Sequence, residues 1–317
     1  MVFPEPRFVD TNGIRMAIYE QGRGPAVVLL HGFPELAYSW RHQLPALADA
    51  GYRAIAPDQR GYGKTDCPPA VSDYSIEELI ADIKGFLDTL GLASATFVGH
   101  DWGALLLWQM ALMTPEQIDG LVILNIPFLP RPPVNPITLF RQRFGDDFYI
   151  VNFQDSDEAD KAFAADPKHF FDVMMRKGQI TREVFDQLPP EMKSLSLLAV
   201  MDRQQSGGEP LLSDAERDYF ADAFAASGFT GPINWYRNWK HNWESLEGFD
   251  QTVRIPTLFI GARDDVLISP SYIEAMKPHV SDLEIHMLEP CGHWSQQERP
   301  DEVNALMLDW LARQAQR

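Results

Sequence analysis

Residues 96–107 read TFVGHDWGALLL, a short run rich in β-formers followed by a Gly-x-Asp-x-Gly turn and an apolar, helix-like segment. A strand that reverses into a helix within so few residues leaves little room for side chains at the ends of the turn. Gly99 and Gly103 relieve that crowding and tolerate the unusual backbone angles of the reversal. The stretch predicts a nucleophile elbow, which holds up its central residue, and here that residue is Asp101 where serine is usual.

Asp101 brings a different chemistry from serine to this turn. A carboxylate cannot acylate as a serine does, but it can attack an sp³ carbon, open a strained ring or expel a halide, and hold the product as an ester. The other common use of an aspartate after a strand is as the N-cap of the next helix. The turn by itself leaves both interpretations open.

The composition is that of an ordinary globular enzyme. The chain has 317 residues, of which 45% are hydrophobic and 23% are charged, and this length allows one large domain or two. The formal net charge of −18 would repel both nucleic acid and an anionic membrane surface. We therefore expect neither as a partner.

Signals for targeting and for metal binding are missing from the sequence. The first residues, MVFPEPR, are not a basic region followed by an apolar stretch, and no run approaches the roughly 18 apolar residues of a spanning helix. Cys67 and Cys291 are the only cysteines, too few for a disulfide framework or a metal-ligand spacing. The expectation is a cytoplasmic protein with no cofactor and no metal.

Strand and helix patterns alternate along the first half of the chain. The strand patterns are residues 7–20, which alternate around an Asn-Gly hairpin turn, and the apolar runs 26–30, 53–58 and 120–125. Ile76–Leu90 places its apolar residues three and four apart, as in an amphipathic helix. This alternation predicts an α/β fold with a mostly parallel sheet and helices on both faces.

Two loops follow early strands. In residues 31–35, HGFPE, Gly32 lets the chain turn so that an amide can point into a site at the sheet edge. We interpret the amide of Phe33 as an oxyanion donor, with a plain Gly-Pro turn as the alternative. The GYG loop at 61–63 lacks the spacing of a phosphate-binding loop and is interpreted as structural.

The alternation stops after the sixth core strand. Prolines cluster from residue 127 onward, and the segment to about 234 mixes charged and aromatic helical patterns, among them a capping box formed by Ser213 and Glu216. Core patterns return in two strands, 255–261 and Leu283–Leu288, and in a final helix, Pro300–Gln314. We therefore predict a core at 1–128 and 236–317 with a helical cap at 129–235 inserted between its parts.

Three polar residues follow core strands in the order nucleophile, acid, histidine. They are Asp101, Asp265 and His293, and this is the chain order of α/β-hydrolase triads. Loops at the carboxyl ends of parallel strands converge, so these residues can meet. Asp264 is an alternative for the acid, although we favour Asp265; the other place that relatives use for the acid holds Asn125, which cannot be anionic.

The chain resembles the α/β-hydrolase-fold epoxide hydrolases, most closely the hydrolase domain of soluble epoxide hydrolases. The motifs that carry the resemblance are residues 31–35 with 38–41 (YSWR), 61–63, 99–103, 234–238 (NWYRN) and 291–294 (CGHW). The resemblance implies that Tyr149 and Tyr236 of the cap hydrogen-bond the epoxide oxygen. It also implies that the amides of Phe33 and Trp102 form an oxyanion hole, and that Phe33, Trp102 and Trp294 contact the substrate.

The chemistry of ring opening favours the same tyrosines independently, because a phenol of pKa about 10 is a suitable acid for a nascent alkoxide. Asp101 would attack an epoxide carbon to form a hydroxyalkyl ester. His293, oriented by Asp265, would activate the water that hydrolyses this ester to a vicinal diol. The expected partners are thus a small-molecule epoxide and water.

Two other functions are alternatives to epoxide hydrolysis. A haloalkane or haloacid dehalogenase uses the same machinery on a carbon–halogen bond, and the indole of Trp102 would then serve as a halide donor. A non-catalytic relative that binds a hydrophobic ligand would usually have lost part of the triad. The sequence leaves open which epoxide is used (lipid, aromatic or small terminal), the regio- and enantioselectivity, and the oligomeric state, with a homodimer as one alternative.

Overall fold

A sheet runs through the centre of the computed structural model, which describes residues 3–178, 180–189, 193, 195–202 and 207–316. The strands are β1 Arg7–Thr11, β2 Ile14–Gly22, β3 Ala26–Leu30, β4 Arg53–Pro57, β5 Ala95–His100, β6 Ile118–Leu124, β7 Arg176–Lys177, β8 Glu209–Pro210, β9 Thr257–Ala262 and β10 Leu283–Leu288. Eight of these described strands form the main sheet in the order β1-β2-β4-β3-β5-β6-β9-β10, and β7 pairs with β8 apart from it.

The main sheet is parallel from β4 to β10, and only β1 and β2 run antiparallel to their neighbours. The predicted hairpin is confirmed, since Thr11 pairs with Ile14 around a turn in which Asn12 and Gly13 have φ of 41° and 75°. Positive φ at both central residues is the requirement that an Asn-Gly turn meets. The predicted mostly parallel α/β sheet is likewise confirmed.

The helices flank this sheet and fill the segment between β6 and β9. They are α1 Gln43–Asp49, α2 Ile76–Leu90, α3 Trp102–Met113, α4 Pro136–Phe144, α5 Tyr149–Asp155, α6 Glu158–Ala165, α7 Pro167–Met174, α8 Arg182–Gln187, α9 Leu197–Met201, α10 Asp214–Ser227, α11 Thr230–Arg237, α12 Trp239–Ser245, α13 Pro270–Met276, α14 Ser295–Glu298 and α15 Pro300–Gln314. None of the helices in the described residues combines the length and apolar character needed to cross a membrane.

Both faces of the sheet are buried, and the alternation within β3 shows how. Val28 and Leu30 pack into one hydrophobic cluster with side chains of α2 and α3, whereas Val27 and Leu29 pack into a second cluster with α1 and α15. Successive side chains of a strand point to opposite faces, so a continuous apolar run serves two clusters at once. This is why strands such as β3 read as unbroken apolar runs.

The elbow between β5 and α3 is as crowded as the sequence predicts. A Cβ on Gly103 would lie 2.1 Å from the carbonyl oxygen of Leu30, and one on Gly99 would lie 2.6 Å from Leu107 Cδ1. Real Cβ atoms do not approach other atoms so closely, so glycine at 103 lets α3 lie against β3, and glycine at 99 lets α3 lie against its own preceding strand, β5. The elbow therefore requires that the backbone of α3 lie very close to the neighbouring strands.

The segment between β6 and β9 is mainly helical, as expected, with α4 to α12 in it. The short antiparallel pair of β7 and β8, with Lys177 opposite Glu209, is an addition that the helical patterns did not predict. Helix α11 runs through position 235, so a domain boundary at 235/236 falls inside a helix. The capping box at the start of α10 is confirmed, with Ser213 and Glu216 bonding each other reciprocally.

Candidate active site

Asp101 lies at the turn between β5 and α3. Its φ of 51° and ψ of −116° form a conformation that a non-glycine residue keeps only where the surrounding structure enforces it. The side chain makes no capping hydrogen bond to α3. Instead, Oδ1 accepts a hydrogen bond of 2.8 Å from the backbone amide of Phe33, so a role as helix cap does not account for this carboxylate.

The loop after β3 brings that amide to the elbow. A Cβ on Gly32 would lie 2.3 Å from Asp101 Cβ and 2.4 Å from Oδ1, so only glycine allows the two segments to approach. The amide of Gly32 donates to Glu35 Oε2 at 3.0 Å and the amide of Phe33 faces the aspartate. The loop thus presents one backbone donor to the carboxylate at which negative charge would develop.

His293 faces two carboxylates. Its Nδ1 lies 2.7 Å from Asp265 Oδ2, a hydrogen bond, and its Nε2 lies 3.7 Å from Asp101 Oδ2, an ion-pair distance. Burial alone would lower the pKa of this imidazole, but the negative charges of Asp265 and Asp101 and the hydrogen bond to Asp265 hold the pKa well above its ordinary value. The three residues that the sequence placed in order are thus brought together.

The structure places Asp265 rather than Asp264 against the imidazole. Asp265 Oδ1 accepts from the amide of Leu267 at 2.9 Å and its Oδ2 faces His293. Asp264 turns the other way, and its Oδ1 accepts a hydrogen bond of 3.1 Å from the amide of Arg182 in the helical segment. Burial would raise the pKa of Asp265, but His293 and the donated hydrogen bonds hold it below the ordinary value.

Asn125 supports the acid, a role that sequence reasoning missed. Its Nδ2 donates to Asp265 Oδ2 at 2.8 Å, while its Oδ1 accepts from Ser295 Oγ at 2.6 Å. The residue has a φ of 68° at the end of β6, where the side chain turns toward the neighbouring loops. The sequence signal for this role is that Asn125 directly follows a core strand. Because its side chain is an amide, the sequence excludes it only as the anionic partner of the histidine.

A buried glutamate, Glu35 of the HGFPE loop, lies behind the site. Glu35 is fully buried, and its carboxylate accepts from the side-chain amides of Gln296 at 2.8 Å and Gln297 at 3.1 Å. His100 lies between two acceptors, with Nδ1 2.6 Å from Glu35 Oε2 and Nε2 2.7 Å from the carbonyl oxygen of His293. Burial opposes ionisation, but the facing imidazole of His100 and the donated hydrogen bonds lower the pKa of Glu35 to about 2.

Tyr149 and Tyr236 enter the same cavity from the helical segment. Tyr149 is the first residue of α5 and Tyr236 lies in the last turn of α11, with ring centroids 5.7 Å apart. Burial, and next the negative charge of Asp101, raise the pKa of both phenols above the ordinary value. Both therefore stay protonated and can donate hydrogen bonds toward the carboxylate.

The NWYRN motif at 234–238, which contains Tyr236, attaches α11 to the core at two points and to α6 at a third. Trp235 Nε1 donates to the carbonyl oxygen of Arg60 at 3.0 Å, and Asn238 Nδ2 donates to that of Val71 at 2.6 Å, both in the core. Arg237 makes an ion pair of 2.6 Å with the buried Asp160 of α6. These contacts leave Tyr236 as the member of the motif that lines the cavity.

The cavity has a volume of about 1030 Å³ and is lined by both the catalytic candidates and apolar side chains. Phe33, Asp101, Tyr149, Tyr236, Asp265, His293 and Trp294 all belong to its lining. Trp102 does not: its indole packs against Trp235, Tyr236 and Trp239 at centroid distances of 5.6, 5.0 and 5.1 Å. The structure therefore does not bring the Trp102 side chain to the cavity surface where a substrate contact was expected.

Among the described residues, no group of three or more His, Cys, Asp or Glu side chains has an arrangement that could hold a metal ion. A carboxylate, an imidazole and hydrogen-bond donors are all present there as side chains or backbone amides. The arrangement can attack an electrophilic carbon from one side of the cavity and donate hydrogen bonds from the other.

Comparison with known proteins gives consistent results. A family model described as the alpha/beta hydrolase fold matches residues 25–300. The chain is 40% identical to Epoxide hydrolase A of Mycobacterium tuberculosis over 97% of each chain. It is also 35% identical to Bifunctional epoxide hydrolase 2 of Mus musculus over 96% of this chain, and spans about half (54%) of that longer relative. A crystal structure of Epoxide Hydrolase A from Mycobacterium thermoresistibile superposes with a TM-score of 0.88 at 39% identity, covering 98% of both chains.

Proposed function

Because this chain belongs to the α/β-hydrolase fold family and to the epoxide hydrolases within it, we propose that it converts an epoxide and water into a vicinal diol through an ester of Asp101. One observation carries the ester route. Asp101 and two protonated tyrosines line one cavity, with Tyr149 and Tyr236 contributed by the helical segment and the carboxylate by the elbow. Nucleophile and acid are thus available on opposite sides of a bound epoxide.

In the first step, Oδ2 of Asp101 attacks an epoxide carbon. Oδ1 is already held by the amide of Phe33 at 2.8 Å, so it becomes the carbonyl oxygen of the ester. The bond between the attacked carbon and the ring oxygen breaks, and that oxygen takes a proton from Tyr149 or Tyr236. Two donors placed for this developing charge lower the barrier without any rearrangement of the protein.

In the second step, the ester is hydrolysed. Nε2 of His293 takes a proton from water while the water oxygen attacks Cγ of Asp101, and the negative charge moves to Oδ1. The amide of Phe33, together with that of Trp102, stabilises this oxyanion. The bond between Cγ and the bridging oxygen breaks, and this oxygen takes the remaining proton of the attacking water from the new carboxylic acid, so that the diol leaves and Asp101 is again a carboxylate. The proton on His293 returns to the phenolate. No step needs a cofactor, since the side chains supply nucleophile, base and acid.

Single turnover in heavy-oxygen water tests this route. With enzyme in excess over styrene oxide, the ester route predicts that the label enters Asp101 and not the diol, because the bridging oxygen comes from the carboxylate. Label in the diol of that first turnover would show direct attack by water and would overturn the proposal. Asp101→Ala serves as the control, since it should form neither labelled enzyme nor diol.

The dehalogenase alternative has less support in this geometry. A halide leaving group needs N–H donors that line the cavity. The indole of Trp102 is the candidate for that role, but it packs against Tyr236 and is not part of the cavity lining. Donation by two phenols suits a developing alkoxide better. Halide release from haloalkanes and haloacids, measured beside diol formation, separates the two activities.

The cavity favours an epoxide with an extended apolar substituent. Its volume of about 1030 Å³ exceeds what a small terminal epoxide would fill, and beyond the catalytic residues the lining includes Val173, Ile180, Phe185, Leu188, Leu197 and Val266. Burial of apolar surface would then contribute to binding. We expect kcat/KM to rise along a series of 1,2-epoxyalkanes from propylene oxide upward, and a flat series would contradict this.

The remaining sequence expectations belong to the same proposal. The predicted division into a cap at 129–235 and a core at 1–128 and 236–317 is kept as a proposal, with the second boundary moved to the end of α11 at Arg237 so that Tyr236 belongs to the cap. A cytoplasmic location is proposed from the sequence and can be tested by cell fractionation. A homodimer is proposed as the oligomeric state to be tested first, by light scattering.

A further inference from the structure

Arg41 takes no part in the proposed chemistry, yet it joins the helical segment to the loop that carries the catalytic histidine. Its Nε lies 2.6 Å from Glu216 Oε1, and its Nη1 donates to Gln297 Oε1 at 2.7 Å. The Arg41 side chain is only 9% exposed, so the ion pair is largely shielded from water. Arg41 is the last residue of the YSWR motif at 38–41.

On the cap side, the arginine holds the start of α10. Glu216 uses Oε2 to close the capping box, accepting from the amide and the hydroxyl of Ser213 at 2.8 Å each. Its other oxygen, Oε1, is the one that accepts from Arg41. The helix cap and the ion pair thus use different oxygens of one carboxylate, so the contact fixes both the position and the orientation of this end of α10.

On the core side, a continuous series of hydrogen bonds leads from Arg41 to His293. Gln297 Nε2 donates to Glu35 Oε1 at 3.1 Å. The other oxygen of Glu35 lies 2.6 Å from Nδ1 of His100, whose Nε2 lies 2.7 Å from the carbonyl oxygen of His293. Gln297 also lies in α14, which begins two residues after the histidine.

The bridge depends on the shape of the guanidinium group. Its planar fork presents Nε to the glutamate and Nη1 to the glutamine at the same time, whereas a lysine ammonium is a single point of donation on a flexible stem. Helix α11, which carries Tyr236, is held to the core by the bond from Trp235 to the carbonyl oxygen of Arg60, and the ring of Tyr149 packs against Tyr236 at a centroid distance of 5.7 Å. The Arg41 bridge therefore bears on the histidine and not on the acid donors.

We propose that Arg41 is a positioning residue for His293, which couples the seating of α10 on the core to the orientation of the histidine loop. The inference rests on the proposed ester route, since it assigns the effect to one of its two steps. Loss of the bridge should slow hydrolysis of the ester, which depends on the aim of His293 Nε2. It should leave formation of the ester nearly unchanged, because Asp101, Tyr149 and Tyr236 keep their places.

Rapid quench with intact-protein mass spectrometry can measure both steps with styrene oxide as the probe. We expect Arg41→Gln to lower the hydrolysis rate about tenfold and the rate of ester formation less than twofold, so that the ester accumulates. Arg41→Lys should recover only part of the loss. Arg217→Gln is the matched control, because Arg217 follows Glu216 on α10 but pairs with Asp172, Asp214 and Asp218; it should change neither rate.

Glu216→Gln keeps an oxygen for the capping box and removes the ion pair with Arg41. This variant therefore tests the same connection if Arg41→Gln fails to fold. It should slow hydrolysis by itself but add nothing in an Arg41→Gln background, since the two changes break one connection. Additive effects, or equal losses in both steps together with a lower melting temperature, would overturn the inference. If wild-type enzyme forms no ester at all, the proposed function fails instead, and the two failures are thus distinguishable.

Discussion

His293 Nδ1 lies 2.7 Å from Oδ2 of Asp265, and the side chain of Asp265 has no exposed surface. A buried carboxylate at this distance holds the imidazole in one orientation and keeps its other nitrogen directed at the elbow. It also stabilises the imidazolium that forms when the ring accepts a proton. The remaining nitrogen lies 3.7 Å from Asp101 Oδ2, which leaves it close to the carboxyl group where the ester would form.

Replacing this acid should arrest the second step. Asp265→Asn would turn an amide N–H toward Nδ1 and favour the wrong tautomer, so we expect ester hydrolysis to slow on the order of 10²–10⁴-fold. Ester formation should fall far less, and the alkylated enzyme should be detected by mass spectrometry. Asp264→Asn is the control, because Asp264 bonds the amide of Arg182 instead. A larger loss from Asp264→Asn would reverse the assignment of the acid.

The pKa of His293 should differ between the free enzyme and the ester intermediate. In the free enzyme, burial lowers the pKa of His293 but the negative charges of Asp265 and Asp101 outweigh it and raise the pKa. Ester formation neutralises Asp101, so the pKa of His293 should fall in the intermediate. Because hydrolysis needs neutral imidazole, its rate should rise with pH to a plateau, with a midpoint below that of His293 in the free enzyme. Single-turnover rates and an NMR titration measure the two midpoints; equal values would contradict the prediction.

Removal of either phenol should slow the first step. We expect Tyr149→Phe and Tyr236→Phe each to lower the rate of ester formation on the order of 10²-fold, since each donates to the departing oxygen. The double variant should be slower than either. Because the pKa of both phenols is raised, ester formation should show no loss from tyrosine ionisation up to about pH 10. Tyr52→Phe, remote from the cavity lining, is the control for stopped-flow measurements.

Glu35 should contribute stability that depends on pH. Its pKa is lowered from 4.5 to about 2 in the folded protein, so its contribution is complete above the unfolded value and is lost as pH falls from about 4.5 toward 2. The shift corresponds to a free energy of unfolding on the order of 3 kcal/mol at neutral pH. Urea unfolding of Glu35→Gln should show a deficit at pH 7 that shrinks below pH 4.5. The exposed Glu116→Gln should show no such deficit, and a pH-independent deficit at Glu35 would refute the assignment.

Gly32 should tolerate no side chain. A Cβ there would lie 2.3 Å from that of Asp101, so Gly32→Ala must displace either the oxyanion loop or the nucleophile. We expect ester formation to be lost in folded protein, and a crystal structure of the variant should show the Phe33 amide moved from Asp101. Gly51→Ala is a comparison with positive φ but open space, so it should cost about 1 kcal/mol of stability and no activity. An active Gly32→Ala variant would be incompatible with the close approach.

The sequence was sufficient to predict that Asp101, Asp265 and His293 lie at one edge of the sheet, because each is marked by a short local pattern. Asp101 stands between two glycines that the turn requires, and the loops bearing Asp265 and His293 follow apolar runs that form neighbouring strands. Parallel strands bring those loops to one edge of the sheet. Tyr236 was predictable only through a resemblance, since no property of an isolated tyrosine indicates which cavity it will face.

Other features could not be predicted from these signals. Trp102 follows the nucleophile in the chain, but the helix that starts there turns its indole away from the cavity and toward Trp235 and Trp239. The short pairing of β7 and β8 involves two residues on each side, too few for a pattern. The hydrogen bond from Gln296 to Glu35 joins residues 261 positions apart, and no local pattern links them.

The sequence by itself determined the strand–turn–helix around Asp101, the sheet and the order of the loops that carry Asp101, Asp265 and His293. These follow from periodicity, from glycine at crowded turns and from the way parallel strands align their ends. Only the tertiary structure decided that Asp265 and not Asp264 faces His293, that Asn125 and Glu35 support the site, and that Arg41 joins the helical segment to the histidine loop. Each of those outcomes depends on the direction of a side chain within a turn or on contacts between distant segments, which exist only after the chain has packed.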